Sequence, residues 1–302
     1  MQFAQHYQAT DTGGRALRAA GVRLFWVLSA GGLAAHAQTS PDKSGYHLFH
    51  RTPIEFMREM STDRPDLTES AYTVDAGHFQ LEMDFVNATF DRDRSGGGDL
   101  RTQAVGVAPL NLKLGLSNSI DVQVVLDTYV HSSVEDRATG TVDTDSGFGD
   151  LETRIKVNLW GNDGGTTAMA VMPFVKWALP ESNLRNGEAE GGIIVPLAVA
   201  LPRRWAMGVM AELDFVSDGA GGHNTEFLSS VTFGRDIAGN LGGYVELVTV
   251  SGSAPGFERR WQLNVGGTYV LDENTRLDFG CNFGVTNSAP DFNPFMGLSW
   301  RH

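Results

Sequence analysis

The sequence predicts an all-β chain: a closed antiparallel transmembrane β-barrel of about 12 strands behind an irregular N-terminal leader. Three observations predict it. From Gly77 onward, apolar and polar side chains alternate over segments of 10 to 16 residues, the connections between segments are short and long in turn, and five of the six tryptophans fall near segment ends. Alternation with period two is the mark of a strand that has different surroundings on its two faces. At 302 residues and 41% hydrophobic, the chain is too apolar for disorder. A bundle of membrane helices is excluded too, because each needs about 20 apolar residues in a row, and the one candidate run lies near the N-terminus. A formal charge of -13 leaves no basic surface for nucleic acid.

The N-terminal run from Ala19 to Ala35 follows Arg15 and Arg18 and ends in Ala35-His36-Ala37. A basic start, a short apolar core and a small-residue site describe a secretory signal peptide over residues 1–37. Its removal leaves 20 basic residues against 35 acidic ones. An acidic, exported chain whose only cysteine is Cys281 suits a bacterial envelope and has no disulfide framework or cysteine metal cluster.

Residues 38–76 are polar, carry Thr52-Pro53 and Arg64-Pro65, and show no sustained period. They read as a periplasmic leader that plugs or clasps the domain of residues 77–302. The strands follow at 77–91, 101–116, 119–131, 149–160, 166–179, 190–201, 204–217, 224–235, 239–251, 259–271, 274–286 and 292–301. In the first, Phe79, Leu81, Met83 and Phe85 share one face while Gln80, Glu82 and Asp84 share the other. Ile120, Val122, Val124 and Leu126 repeat the pattern, as do Leu277, Phe279, Cys281, Phe283 and Val285. The connections at Ser117-Asn118, 161–164, Pro202-Arg203, Ile237-Ala238 and Asp272-Glu273 are tight. Those at 92–100, 132–148, 180–189, 218–223 and 252–258 are longer. Tight turns on one rim and long loops on the other belong to an outer-membrane barrel. A β-sandwich or a propeller would also alternate, but with strands nearer 5 to 6 residues. Trp160, Trp177, Trp205, Trp261 and Trp300 near strand ends suit interfacial girdles.

Hydrocarbon leaves no backbone group unpaired, so strands cross a membrane only as a closed wall. The apolar phase then meets outer-membrane lipid, and the polar phase lines the interior. The candidates on that phase are Glu82, Asp84, Lys113, Asp121, Asp127, Glu152, Arg154, Lys156, Lys176, Glu212, Asp214, Glu246, Arg276 and Asp278. They form either a conduit that selects a small solute or a salt-bridged filling, since 12 strands fall between filled eight-stranded barrels and open porins. An acid-rich lining favours cations and neutral molecules over anions.

Catalytic and cofactor signals are absent. His47, His50, His78, His131, His223 and His302 have no ligand spacing, and no G-x-S-x-G elbow occurs. A barrel hydrolase acting on lipid stays open only because triad partners meet in space rather than in sequence. The acids between Glu135 and Asp145 lack the third ligand and closing Glu of a calcium loop and read as a solvated loop.

One segment stands apart: Asp63-Arg64-Pro65-Asp66, followed by Glu69-Ser70 and by Val74 through Glu82. With Gly147-Phe148-Gly149-Asp150, Lys156, the Lys176 to Pro180 stretch and the ending from Leu271 to Asp291, it resembles the outer-membrane transporter family named for the meta-cleavage (MetA) pathway of phenol degradation. The resemblance runs from about residue 60 to the C-terminus. It implies an outer-membrane channel for hydrophobic or aromatic compounds, inserted by the barrel assembly machinery, and it supplies no catalytic residues. The ending Trp300-Arg301-His302 departs from the aromatic final residue usual in such barrels. The Asp63-Arg64-Pro65-Asp66 motif is expected to fold into or across the barrel mouth, as a mouth or plug motif, with Arg64 paired to an inward acid such as Glu82 or Asp84. It acts there as a gate or as a clasp on the first strand. An adhesive or structural barrel with a filled lumen is the competing reading.

Overall fold

The structure is a computed structural model that describes residues 41–94, 98–179, 184 and 187–302. The expected signal peptide, residues 1–37, lies outside the described residues. The wall consists of β1 (Phe79–Asp93), β2 (Leu100–Val107), β3 (Leu110–Ser117), β4 (Ile120–Leu126), β5 (Tyr129–Asp136), β6 (Thr141–Gly147), β7 (Leu151–Trp160) and β8 (Thr167–Lys176). It continues with β9 (Glu190–Leu201), β10 (Trp205–Ser217), β11 (His223–Ala238), β12 (Leu241–Gly252), β13 (Arg260–Asp272), β14 (Thr275–Gly284) and β15 (Phe292–Arg301). All pairings are antiparallel, and β15 returns to pair with β1, so the sheet has no open seam between its ends.

Three of the staves are interrupted. β2 and β3 pair along the same flank of β1, β4 and β5 continue them, and β6 and β7 form the next stave, so the 15 segments make a 12-stranded closed barrel. The interruptions have local causes. Ala108 takes a left-handed conformation (φ 52°) and Pro109 has no N–H to donate. At the facing break, the Thr128 hydroxyl takes the place of a ladder donor and binds the Val107 and Ala108 carbonyls at 2.7 and 2.9 Å. At the third break Gly149 lies against Asp127, where a Cβ would collide with the aspartate side chain.

One expectation is corrected here. Residues 132–148 are not a loop: β5 and β6 pair from Val130–Gly147 to Asp136–Thr141, leaving a turn at 137–140. This hairpin stands on the long-loop rim with most of β6 exposed. β6 has water on both faces and carries no alternation, while in β5 only Val130, Ser132 and Val134 turn inward, too short and mixed a run to mark a strand.

The outward phase is the lipid belt. Phe85, Leu112, Val124, Ile155, Phe227, Leu247, Val265, Phe279 and Met296 are all exposed on it. Trp160, Trp205 and Trp300 lie on the rim of tight turns and Trp177 and Trp261 on the opposite rim, all partly exposed. The Arg235 guanidinium lies over the Trp205 ring at 5.1 Å, a cation–π contact suited to an interface that is half wet. Closure ends on His302, whose backbone exchanges hydrogen bonds of 2.9 and 3.2 Å with Phe79 and whose ring packs on Trp300 and Phe79.

Leu247, outward near the middle of β12, tests the belt. Leu247→Arg is expected to destabilise the refolded barrel in lipid vesicles by about 2–4 kcal/mol, read from urea titrations of heat-modifiable gel migration.

Candidate functional site

The lumen is occupied by the chain's own leader. Every residue from Thr62 to Ala71 is buried, although the segment contains neither helix nor strand. An irregular backbone at membrane depth must find its hydrogen bonds within the protein, and the inward acids supply them. Glu82 accepts the Asp63 N–H at 3.0 Å, Asp121 that of Val74 at 3.0 Å, and Glu246 those of Leu67 and Thr68 at 2.9 and 2.8 Å. Glu246 also takes the Thr68 hydroxyl at 2.6 Å and the Asn264 amide at 2.7 Å. Asn158 donates to the Ala71 carbonyl at 2.6 Å.

Ion pairs tie the motif to several staves. The Asp63 carboxylate meets Lys113 of β3 and, at 2.7 Å, Lys156 of β7, and it accepts the Ser70 N–H at 2.8 Å. Lys113 also contacts Glu82. Arg64 lies between Asp84 of β1 and Asp278 of β14, with its Nε–H 3.0 Å from Asp278. Gly297 makes room for this guanidinium, since a Cβ there would overlap it and the Met83 carbonyl. Glu69 takes Arg154 at 2.6 Å, and Arg154 also pairs with Glu152. Asp66 sits fully buried beside Glu246 and Thr232. Of the two expected placements the motif takes the one inside the lumen, and of the two expected partners Arg64 uses Asp84 while Glu82 serves Lys113 and backbone.

All fourteen inward candidates are buried. The leader gathers Glu82, Asp84, Lys113, Asp121, Glu152, Arg154, Lys156, Glu246 and Asp278 into one network. The others lie apart from it: Lys176 pairs with Glu190 and, at 3.4 Å, with Asp150, Asp127 lies at the interruption between β4 and β5, and Arg276 lies at the periplasmic end of β14. Glu212 and Asp214 follow one another inward along β10. Amid the network the remaining cavity measures about 20 Å³ and is bounded by Asp63, Arg64, Glu69, Glu82, Asn111, Val125 and Arg154, room for about one water.

The expectation of a uniformly polar interior is corrected. On the flank from β8 to β12 the inward phase carries Met172, Phe174, Ile194, Met210, Leu228, Val248 and Val250, buried together with Leu67 of the leader and flanked by Phe257. Sequence reasoning missed these because in β8 and β9 both phases are apolar and no contrast separates inside from outside. The available signal was the inward register of β12, where Tyr244, Glu246, Val248 and Val250 share one phase.

Residues 62–302 match the family model described as "Putative MetA-pathway of phenol degradation". The chain belongs to that family. Among solved structures, the COG4313 outer membrane channel from Pseudomonas putida F1 aligns with a TM-score of 0.56 and 11% identity, covering 80% of this chain and 100% of that one. This likeness establishes a shared fold. The NanC porin aligns at a TM-score of 0.46 and 9% identity, over 71% and 98% of the two chains. The toluene transporter TbuX of Ralstonia pickettii aligns at 0.43 and 8%, over 74% and 89%. No curated protein matches the sequence. With a closed wall and a lipid belt, this member of the MetA-pathway family is a protein of the bacterial outer membrane.

At the periplasmic end a second clamp holds the leader to the barrel. Lys43 binds Asp163 at 2.8 Å and Asp75 at 3.4 Å, and Arg58 reaches the same two acids. Burial acts to raise the Asp163 carboxyl, but the hydrogen bonds from Lys43 and Asn118 outweigh it and hold it below its ordinary 3.8. A depressed folded value means the clamp is fully in place above pH 3.8 and is lost only as the pH falls through that lowered value. Amide exchange of residues 43–58 is therefore expected to stay flat from neutral pH to about pH 4 and, once corrected for intrinsic rates, to accelerate below it. In the lumen, Arg64→Met leaves Asp84 and Asp278 without their shared cation and is expected to cost about 3–5 kcal/mol in urea unfolding of the refolded barrel.

Proposed function

We propose that this barrel is a passive channel for small apolar or aromatic solutes, in a closed state, with the leader as its gate. The observation that carries the reading is the apolar flank of the lumen. A filling whose only task is rigidity has no need of seven inward hydrophobes along one side, since charge pairs serve that purpose on the opposite flank. An apolar solute, by contrast, gains from such a surface because both shed water on contact. The leader presents Leu67, 1% exposed, to this flank. Leu67 occupies the place an incoming solute would take. The family's association with phenol degradation agrees with an aromatic cargo, and a transport role is preferred to a catalytic one on the same grounds.

The filled centre favours a second reading, a structural barrel clasped by its leader, and conductance separates the two. In planar bilayers, Leu67→Ala and the double variant Asp63→Ala/Arg64→Ala are expected to raise open probability at least several-fold, with cations passing in preference to anions. Vesicles loaded with the Leu67→Ala barrel are expected to take up toluene-sized solutes faster than the parent. Conductance and uptake equal to the parent in both variants would leave the clasp and remove the gate.

A further inference from the structure

A second, larger cavity lies not in the network but at the periplasmic mouth. It measures about 690 Å³, within the range that holds an organic ligand. Its polar wall is built around Arg276, which is 4% exposed. The one partner of its guanidinium among the described residues is the leader's Glu59, at 3.2 Å, and Glu59 is itself more than half exposed. The Arg276 Nε–H, the Arg58 Nε–H and the Thr268 hydroxyl are buried with no hydrogen-bond partner, and all three residues line the cavity. Unpartnered donors of this kind are costly and call for an acceptor. Arg301 lies close enough for its charge to interact with those of Arg276 and Arg58, and it is anchored by Asn274 at 3.0 Å.

We propose that this vestibule binds a small organic carboxylate with an apolar body, its head group on Arg276 in place of Glu59. Three features define the class. The leader already presents a carboxylate to Arg276, so the position is built for that group, and Glu59 is a tethered stand-in for it. Met57, Val270 and Leu271 give the cavity an apolar side for a ring or short hydrocarbon chain. Finally, its four arginines are matched by Glu59, Asp236, Asp272 and Glu273. That balance gives no net field to attract a multiply charged inorganic anion, whereas a monoanion that displaces Glu59 finds one guanidinium released for it.

The site opens on the periplasm and needs only the folded barrel, so its test is separate from that of the channel. Benzoate binding to the full barrel in detergent is measured by isothermal titration, with benzyl alcohol and inorganic phosphate as comparison ligands. Benzoate is expected to bind at least about tenfold more tightly than either, since it alone combines charge and ring. Arg276→Gln is expected to weaken benzoate about tenfold or more, and Glu59→Gln to strengthen it about three- to tenfold by removing the tethered competitor. Heat-modifiable migration checks that each variant folds. Should Arg276→Gln fail that check, the exposed Glu59→Gln decides alone, and an unchanged benzoate affinity there overturns the proposal. Equal binding of phosphate also overturns it, as does benzoate binding that survives Arg276→Gln, which would place the ligand on the apolar flank instead.

Discussion

A backbone in hydrocarbon cannot leave its N–H and C=O groups unpaired, and everything else in this molecule follows from that constraint. For the wall it requires closure, reached when β15 folds back onto β1 and His302 onto Phe79. For the leader, which has no secondary structure of its own, it requires acceptors and donors on the inner face. Glu82, Asp121 and Glu246 are therefore first of all acceptors for leader backbone, and only secondarily charges. The same demand explains the pairing of Asp63 with two lysines and of Arg64 with two aspartates, since a charge taken out of water needs opposite charge on more than one side.

The lumen has two chemically distinct flanks. From β14 through β1 and β3 to β7 it is ionic, and the leader is stitched there by directional bonds that hold only in one register. From β8 to β12 it carries the apolar cluster against which Leu67 packs, with Glu246 of β12 holding the Leu67 and Thr68 N–H groups beside it. Directional contacts confer a specific seat, while a small apolar contact is readily exchanged for another apolar body. The leader is thus held by directional bonds on both flanks, and the Leu67 side chain is its exchangeable apolar contact.

The wall was legible in sequence because membrane and lumen impose opposite solvents on alternate residues. Phe79 to Phe85, Ile120 to Leu126 and Leu277 to Val285 all carry that contrast, and the tryptophans mark where it ends. The reading failed wherever the contrast vanished. In β6 both faces are wet, and in β8 and β9 both are apolar, so neither the extra strand length nor Met172, Phe174 and Ile194 as inward residues could be recognised. The periplasmic arginines were legible singly, Arg276 as an inward residue, but nothing in their spacing along the chain announced that residues 58, 276 and 301 converge.

The sequence by itself determined the all-β class, the number of staves, the two phases and the identity of the inward charges, because these depend on period and composition, which are local properties of the chain. Tertiary structure alone decided that the leader runs inside the barrel, that Asp63 meets Lys113 and Lys156 while Arg64 meets Asp84 and Asp278, and that one flank of the lumen is apolar. These contacts join residues up to 214 positions apart. Which partners meet depends on the closure and stagger of the whole cylinder, and no local pattern of side chains encodes that.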